Sequence, residues 1–173
     1  MLLARLLVLS CLAASLGAFG QGTGCNSPES KQLDFWIGDW DLTYGDGGKG
    51  RNRISKILDG CAILEEFSGA PGVPLDGRSF STFDRASQRW KQTWVDNSGA
   101  YMDFVGSTDN GNRVFSREVT ARDGRKILQR MIFLDVTPDS LTWLWQRSDD
   151  GGASWKVSWE IRYKRVKGGG SGR

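Results

Sequence analysis

From Phe35 onward, apolar and polar residues alternate in short runs that are broken by Gly, Asp and Asn. A period of two places successive side chains on opposite faces, so each run reads as a strand with one buried side and one wet side. The runs are Phe35–Tyr44, Arg51–Leu58, Cys61–Ser68, Arg78–Phe83, Arg89–Val95, Tyr101–Ser107, Arg113–Thr120, Lys126–Val136, Leu141–Arg147 and Trp155–Arg165. Between them stand Gly45-Asp46-Gly47-Gly48, Asp59-Gly60, Asp109-Asn110-Gly111-Asn112, Asp123-Gly124 and Asp149-Asp150-Gly151-Gly152, the chemistry of tight hairpin turns. Pro71 and Pro74 force their loop out of any hydrogen-bonded ladder. The last run alternates most clearly. Trp155, Val157, Trp159, Ile161 and Tyr163 share one parity, and Lys156, Ser158, Glu160, Arg162 and Lys164 share the other. No stretch of helical period is long enough for a core helix. Only Ser27–Leu33 fits a short helical turn, started by Ser27 and Pro28.

Consecutive antiparallel strands leave two open edges, and closure removes both. The pattern predicts an all-β fold, an up-and-down antiparallel barrel of about ten strands, with a two-sheet sandwich as the rival architecture. The expected organisation is a leader over 1–20, a lead-in segment over 21–34, the barrel over 35–166 and a flexible Gly-rich tail over 167–173.

The leader reads as a secretory signal peptide, with Arg5 before an apolar run from Leu6 to Leu16 and the small residues Ala18 and Gly20 at the cleavage point. The run is too short to span a bilayer. Export to the periplasm or beyond meets an oxidising compartment, and Cys11 leaves with the leader. The remaining pair, Cys25 and Cys61, is therefore expected to form a disulfide. Lipid attachment at Cys25 is the alternative use of that thiol, and a Leu is missing where such a signal would begin.

Composition removes several chemistries. The chain has no His, so His-based acid–base catalysis, Ser–His and Cys–His nucleophiles and His-ligated zinc are excluded. Lys plus Arg is 23 against 20 for Asp plus Glu, too even for a nucleic-acid footprint. No metal site, phosphate-binding loop, dinucleotide fingerprint or nucleophile elbow is visible.

Phe35-Trp36-Ile37-Gly38-Asp39-Trp40 carries the most specific pattern, a Gly-x-Trp just inside the first strand. It resembles the opening motif of the calycin barrels, which include lipocalins, fatty-acid-binding proteins and nitrobindin-like barrels. Gly77-Arg78-Ser79-Phe80, Gln92-Thr93-Trp94-Val95-Asp96 and Trp159-Glu160-Ile161-Arg162-Tyr163 extend the resemblance, which is closest to a family of secreted bacterial proteins of unknown function with a lipocalin-like barrel. That resemblance implies the barrel and carries no established activity. Nitrobindin-like relatives hold haem through a His, which is absent here, so no cofactor is expected. In calycin barrels a basic residue of the last strand commonly stacks on the first-strand Trp, which implies Arg165 over Trp40. Gly38 lets the chain bend into the barrel, and the Trp40 indole plugs its end.

Ser148-x-Asp150-x-Gly152-x-x-Trp155 matches the Asp-box of sialidases. It occurs once, in a chain too short for a propeller, and reads as a stable turn with Asp150 capping amides and Trp155 packing beneath. Glu65 and Glu66 are strand neighbours, so one faces in and one out. The inward one needs a partner, for which Arg117 and Arg130 are candidates.

The eight Trp fall into close pairs: 36/40, 90/94, 143/145 and 155/159. Parity and distance from the turns select Trp94, Phe104, Met131, Phe133, Trp143 and Trp159 as the apolar walls of a cavity, with Gln92 as a polar fixing group. Such walls suit a flat or chain-like, largely uncharged ligand. The expected function is an exported barrel that binds a small apolar molecule, without enzymatic activity and without a membrane span. Two alternatives stand beside it. One is a structural or interaction protein with a filled barrel. The other is a His-independent enzyme, which would need an interior carboxylate of shifted pKa beside a cavity.

Overall fold

The computed structural model describes residues 25–167. The leader over 1–20 and the tail from 168 onward lie outside the described residues. The chain forms a closed barrel of ten antiparallel strands in sequence order, β1 Gly38–Tyr44, β2 Lys49–Ile57, β3 Ala62–Ser68, β4 Asp76–Asp84, β5 Arg89–Asp96, β6 Tyr101–Asp109, β7 Asn112–Thr120, β8 Lys126–Leu134, β9 Ser140–Ser148 and β10 Lys156–Arg165. Every strand pairs with its neighbours in the chain. β10 returns to β1 with Trp40 opposite Arg165 and Leu42 opposite Tyr163. Closure leaves no edge, so the sandwich is excluded.

The two ends of the barrel differ. At one end the 3-10 turns Glu29–Lys31 and Asp34–Trp36 lie across the opening. Leu33 and Trp36 enter the barrel there and are almost completely buried. Asp34–Trp36 belongs to this plug, so the first strand starts at Gly38 and not at Phe35. Ser27 Oγ accepts from the Ser30 amide at 3.3 Å and supports the preceding turn. The opposite end carries the turns that follow β1, β3, β5, β7 and β9.

Cys25 and Cys61 form the expected disulfide, across 36 residues of sequence. It ties the lead-in segment to the β2–β3 connection and leaves no thiol on Cys25 for acylation.

The last strand departs from simple alternation. Its pairing with β9 shifts between Val157 and Trp159, a bulge that turns Val157 outward to 54% exposure. Trp155 lies before β10, and the Arg130 guanidinium sits 3.9 Å from the centre of its ring. The inward set of this strand is therefore Trp159, Ile161 and Tyr163.

Candidate functional site

Inward side chains of β3, β5, β6, β8, β9 and β10, with Trp36 of the plug and Leu75, enclose a cavity of about 290 Å³ between the plug and the far rim. Trp36 forms part of its floor. Leu75, Asp96 and Met102 stand at its far rim. Trp94, Phe104, Met131, Trp143, Trp159 and Gln92 all line it. Phe133 does not. It points inward but is 0% exposed, with its ring centroid 5.5 Å from Phe35 and 5.3 Å from Trp36. The plug reaches deeper than strand parity alone implies and takes Phe133 into its own packing.

Sequence parity left several lining residues unselected. Trp145 lies two positions from Trp143, and their rings are stacked at 6.3 Å. Phe67 meets Trp94 at 5.8 Å and Trp159 at 5.9 Å. Trp159 meets Trp143 edge-on at 6.1 Å. A nearly continuous aromatic wall results, in the offset and edge-to-face geometries that aromatic rings favour. Trp94 is held at the rim because its Nε1 donates to Asp96 at 2.8 Å. Gly77 of β4 makes room for that indole, since a Cβ there would overlap the ring. Trp36 Nε1 is buried without an acceptor.

The polar part of the wall is a directed network. Gln92 Nε2 donates to Ser79 Oγ at 3.2 Å and to Ser81 Oγ at 3.0 Å. Ser79 Oγ donates to Glu65 Oε2 at 2.6 Å. Asn52 Nδ2 donates to Glu65 Oε1 at 2.7 Å and to Tyr163 Oη at 3.2 Å. Glu65 is thus the inward member of the acidic pair, and Glu66 lies outside near Arg78. Neither expected cation reaches Glu65. Arg130 points outward, bonding Gln146 at 2.7 Å and Asp109 at 3.0 Å. Arg117 lies over Phe104, 5.8 Å from the ring centre, with Nε and Nη1 buried and unpartnered.

Burial pushes the Glu65 carboxyl above its ordinary value of 4.5, against the bonds from Ser79 and Asn52 that favour its anion. Burial, followed by the nearby Glu65, raises the Tyr163 phenol well above 10.0. Partial burial works against the Asp96 anion, yet bonds from Ser98, Trp94 and Ala100 hold its carboxyl below the usual range. Among the described residues no group of three acidic or cysteine side chains is placed to hold a metal ion, and no helix is long and apolar enough to cross a membrane.

The remaining marked residues lie away from the cavity. Asp150 accepts from the Ser154 amide at 2.9 Å, from Ser154 Oγ at 2.6 Å and from Ser148 Oγ at 2.7 Å, which fixes the β9–β10 turn. Gly38, Trp40 and Arg165 close the plugged end. Comparison with protein-family models and with curated proteins finds no match.

Proposed function

We propose that this protein is an exported, lipocalin-like barrel that binds a small, mostly apolar molecule in its interior. The observation that carries the reading is the cavity of about 290 Å³, walled by indoles and phenyl rings inside the barrel. Ligand sites are typically clefts of roughly 300–1,000 Å³ with apolar walls and a few fixed polar groups. This one has the size for a bicyclic molecule or a short chain, and Gln92, Glu65 and Tyr163 supply the polar groups. The Cys25–Cys61 disulfide fits an oxidising compartment, in keeping with the leader and with periplasmic or secreted location. The resemblance to secreted bacterial proteins with calycin-type barrels points the same way.

Glu65 supports a second reading, because an interior carboxyl of raised pKa beside a cavity is what a His-independent enzyme requires. Binding is the better account. The Tyr163 phenol beside Glu65 is held neutral, which makes it a poor base, and Asp96 stands at the far rim. Titration with uncharged aromatic and alkyl probes, followed by Trp emission, tests the proposal. Saturable quenching or shift at micromolar concentration is expected, with the probe recovered unchanged. A flat response to every probe overturns the reading, and chemical conversion of the probe transfers it to the enzyme alternative.

A further inference from the structure

We propose that Glu65 anchors a basic nitrogen, so that the cavity takes a small amine or related nitrogen cation whose apolar body lies against the indoles. The proposal rests on the reading of the cavity as a ligand site and names the ligand class.

The hydrogen bonds around Glu65 have a direction. The Gln92 amide donates to Ser79 Oγ, which turns the Ser79 proton toward Glu65 Oε2. Asn52 presents an amide proton to Oε1. Both oxygens are met by donors, the arrangement that suits a carboxylate and not a carboxylic acid. What the anion lacks is a countercharge. β2 presents Asn52 and Ile54 to it, β4 presents Ser79 and Ser81, β5 presents Gln92 and β10 presents Tyr163. None of these is cationic. The inward guanidinium of Arg117 lies over Phe104 and does not line the cavity. The only charged residues that line it, Glu65 and Asp96, are both acidic.

A carboxylate removed from water with hydrogen bonds but no opposite charge is costly, and a cation delivered with the ligand removes the deficit. The walls fit the same ligand. Aromatic faces attract cations, and cages of several rings are a known solution for ammonium groups. Trp143, Trp145, Trp159, Trp94 and Phe67 supply such faces around an apolar volume.

Burial pushes the Glu65 carboxyl up, against the bonds from Ser79 and Asn52 that favour its anion. An amine reaches the protein at neutral pH as its ammonium ion. On binding, the ammonium offsets the cost of burying the carboxylate and holds Glu65 as its anion, which an uncharged ligand does not do.

The test is isothermal titration of the purified protein with naphthylmethylamine and with naphthylmethanol, which share a body and differ in the polar group. Each titration is run at neutral pH. We expect the amine to bind about tenfold tighter or better. Glu65→Gln keeps the shape and removes the charge, and it is expected to abolish the preference for the amine over the alcohol. Equal affinities, or a preference that survives Glu65→Gln, overturns the proposal and leaves interior binding standing. Failure of both compounds to bind overturns the interior-binding reading itself. If Glu65→Gln does not fold, the wild-type affinity ratio decides.

Discussion

The guanidinium of Arg165 lies 4.0 Å over the Trp40 ring, across the seam where β10 closes on β1. The same group holds three backbone carbonyls, with Nε on Pro138 at 2.6 Å, Nη1 on Ile37 at 2.6 Å and Nη2 on Phe35 at 3.0 Å. Trp40 Nε1 in turn donates to the Trp36 carbonyl at 2.8 Å. These two residues therefore close the barrel and pin the plug to it. Gly38 has a φ of 136°, and a Cβ there would overlap Arg165 Nη1. Its lack of a side chain serves both the bend and the guanidinium.

Arg165→Met retains the apolar stem but removes the ring contact and the three donors. A stacked guanidinium contributes about 0.5–2 kcal/mol, and charged hydrogen bonds add to it, so a loss of about 2–4 kcal/mol is expected. Lys at this position restores little, since an ammonium cannot fork to three carbonyls. Denaturant midpoints measure this, and an unchanged midpoint contradicts the role assigned to Arg165.

Replacing Cys25 and Cys61 together by Ser is expected to lower stability by about 2–4 kcal/mol, the scale for releasing a loop of this length. The disulfide tethers the lead-in segment away from the cavity wall. Probe affinity measured well below the new melting temperature should therefore stay within about twofold of wild type.

Glu65→Gln gives a pH dependence whose sign follows from burial. The folded value of Glu65 lies above the ordinary 4.5. Its contribution to stability is full below that value and is lost as pH rises through the folded value. The variant does not titrate there. The melting temperature of Glu65→Gln minus that of wild type should grow as pH climbs above the usual carboxylate range. Asp84, Asp123, Asp149 and Asp150 have lowered values and lose stability as pH falls. They are common to both proteins and cancel in the difference. A difference that stays constant with pH would show that Glu65 is not a buried titrating group.

Arg117 offers the opposite kind of test. Its buried Nε and Nη1 have no partner, which carries an uncompensated desolvation cost. Arg117→Met keeps the stem against Phe104 and removes the charge. Thermal and denaturant unfolding should show equal or greater stability, by up to about 2 kcal/mol. Destabilisation beyond about 1 kcal/mol would mean that the guanidinium has a favourable role in the barrel.

The strands were legible because alternation and turn chemistry are local. The Asp59-Gly60 and Asp149–Gly152 turns stand where the sequence places them, and closure follows from the need to satisfy edges. Val157 was not legible, since a bulge changes parity without changing composition. Phe133 has the right parity but the wrong depth, which is set by how far Trp36 and Phe35 enter the barrel. Alternation alone requires one of Glu65 and Glu66 to face inward. That Glu65 is satisfied by Asn52 and Ser79 instead of an arginine depends on register between strands, which no single run of residues encodes.

Interior binding itself is tested most directly by filling the cavity. Met131 lies on its wall, and Met131→Trp places a larger side chain into the same space. Isothermal titration with naphthylmethanol should give saturable, micromolar binding to the wild-type protein. The Met131→Trp variant, once shown by thermal unfolding to be folded, should lose that binding. Saturation of both proteins with the same affinity, or of neither, would contradict a ligand held inside the barrel.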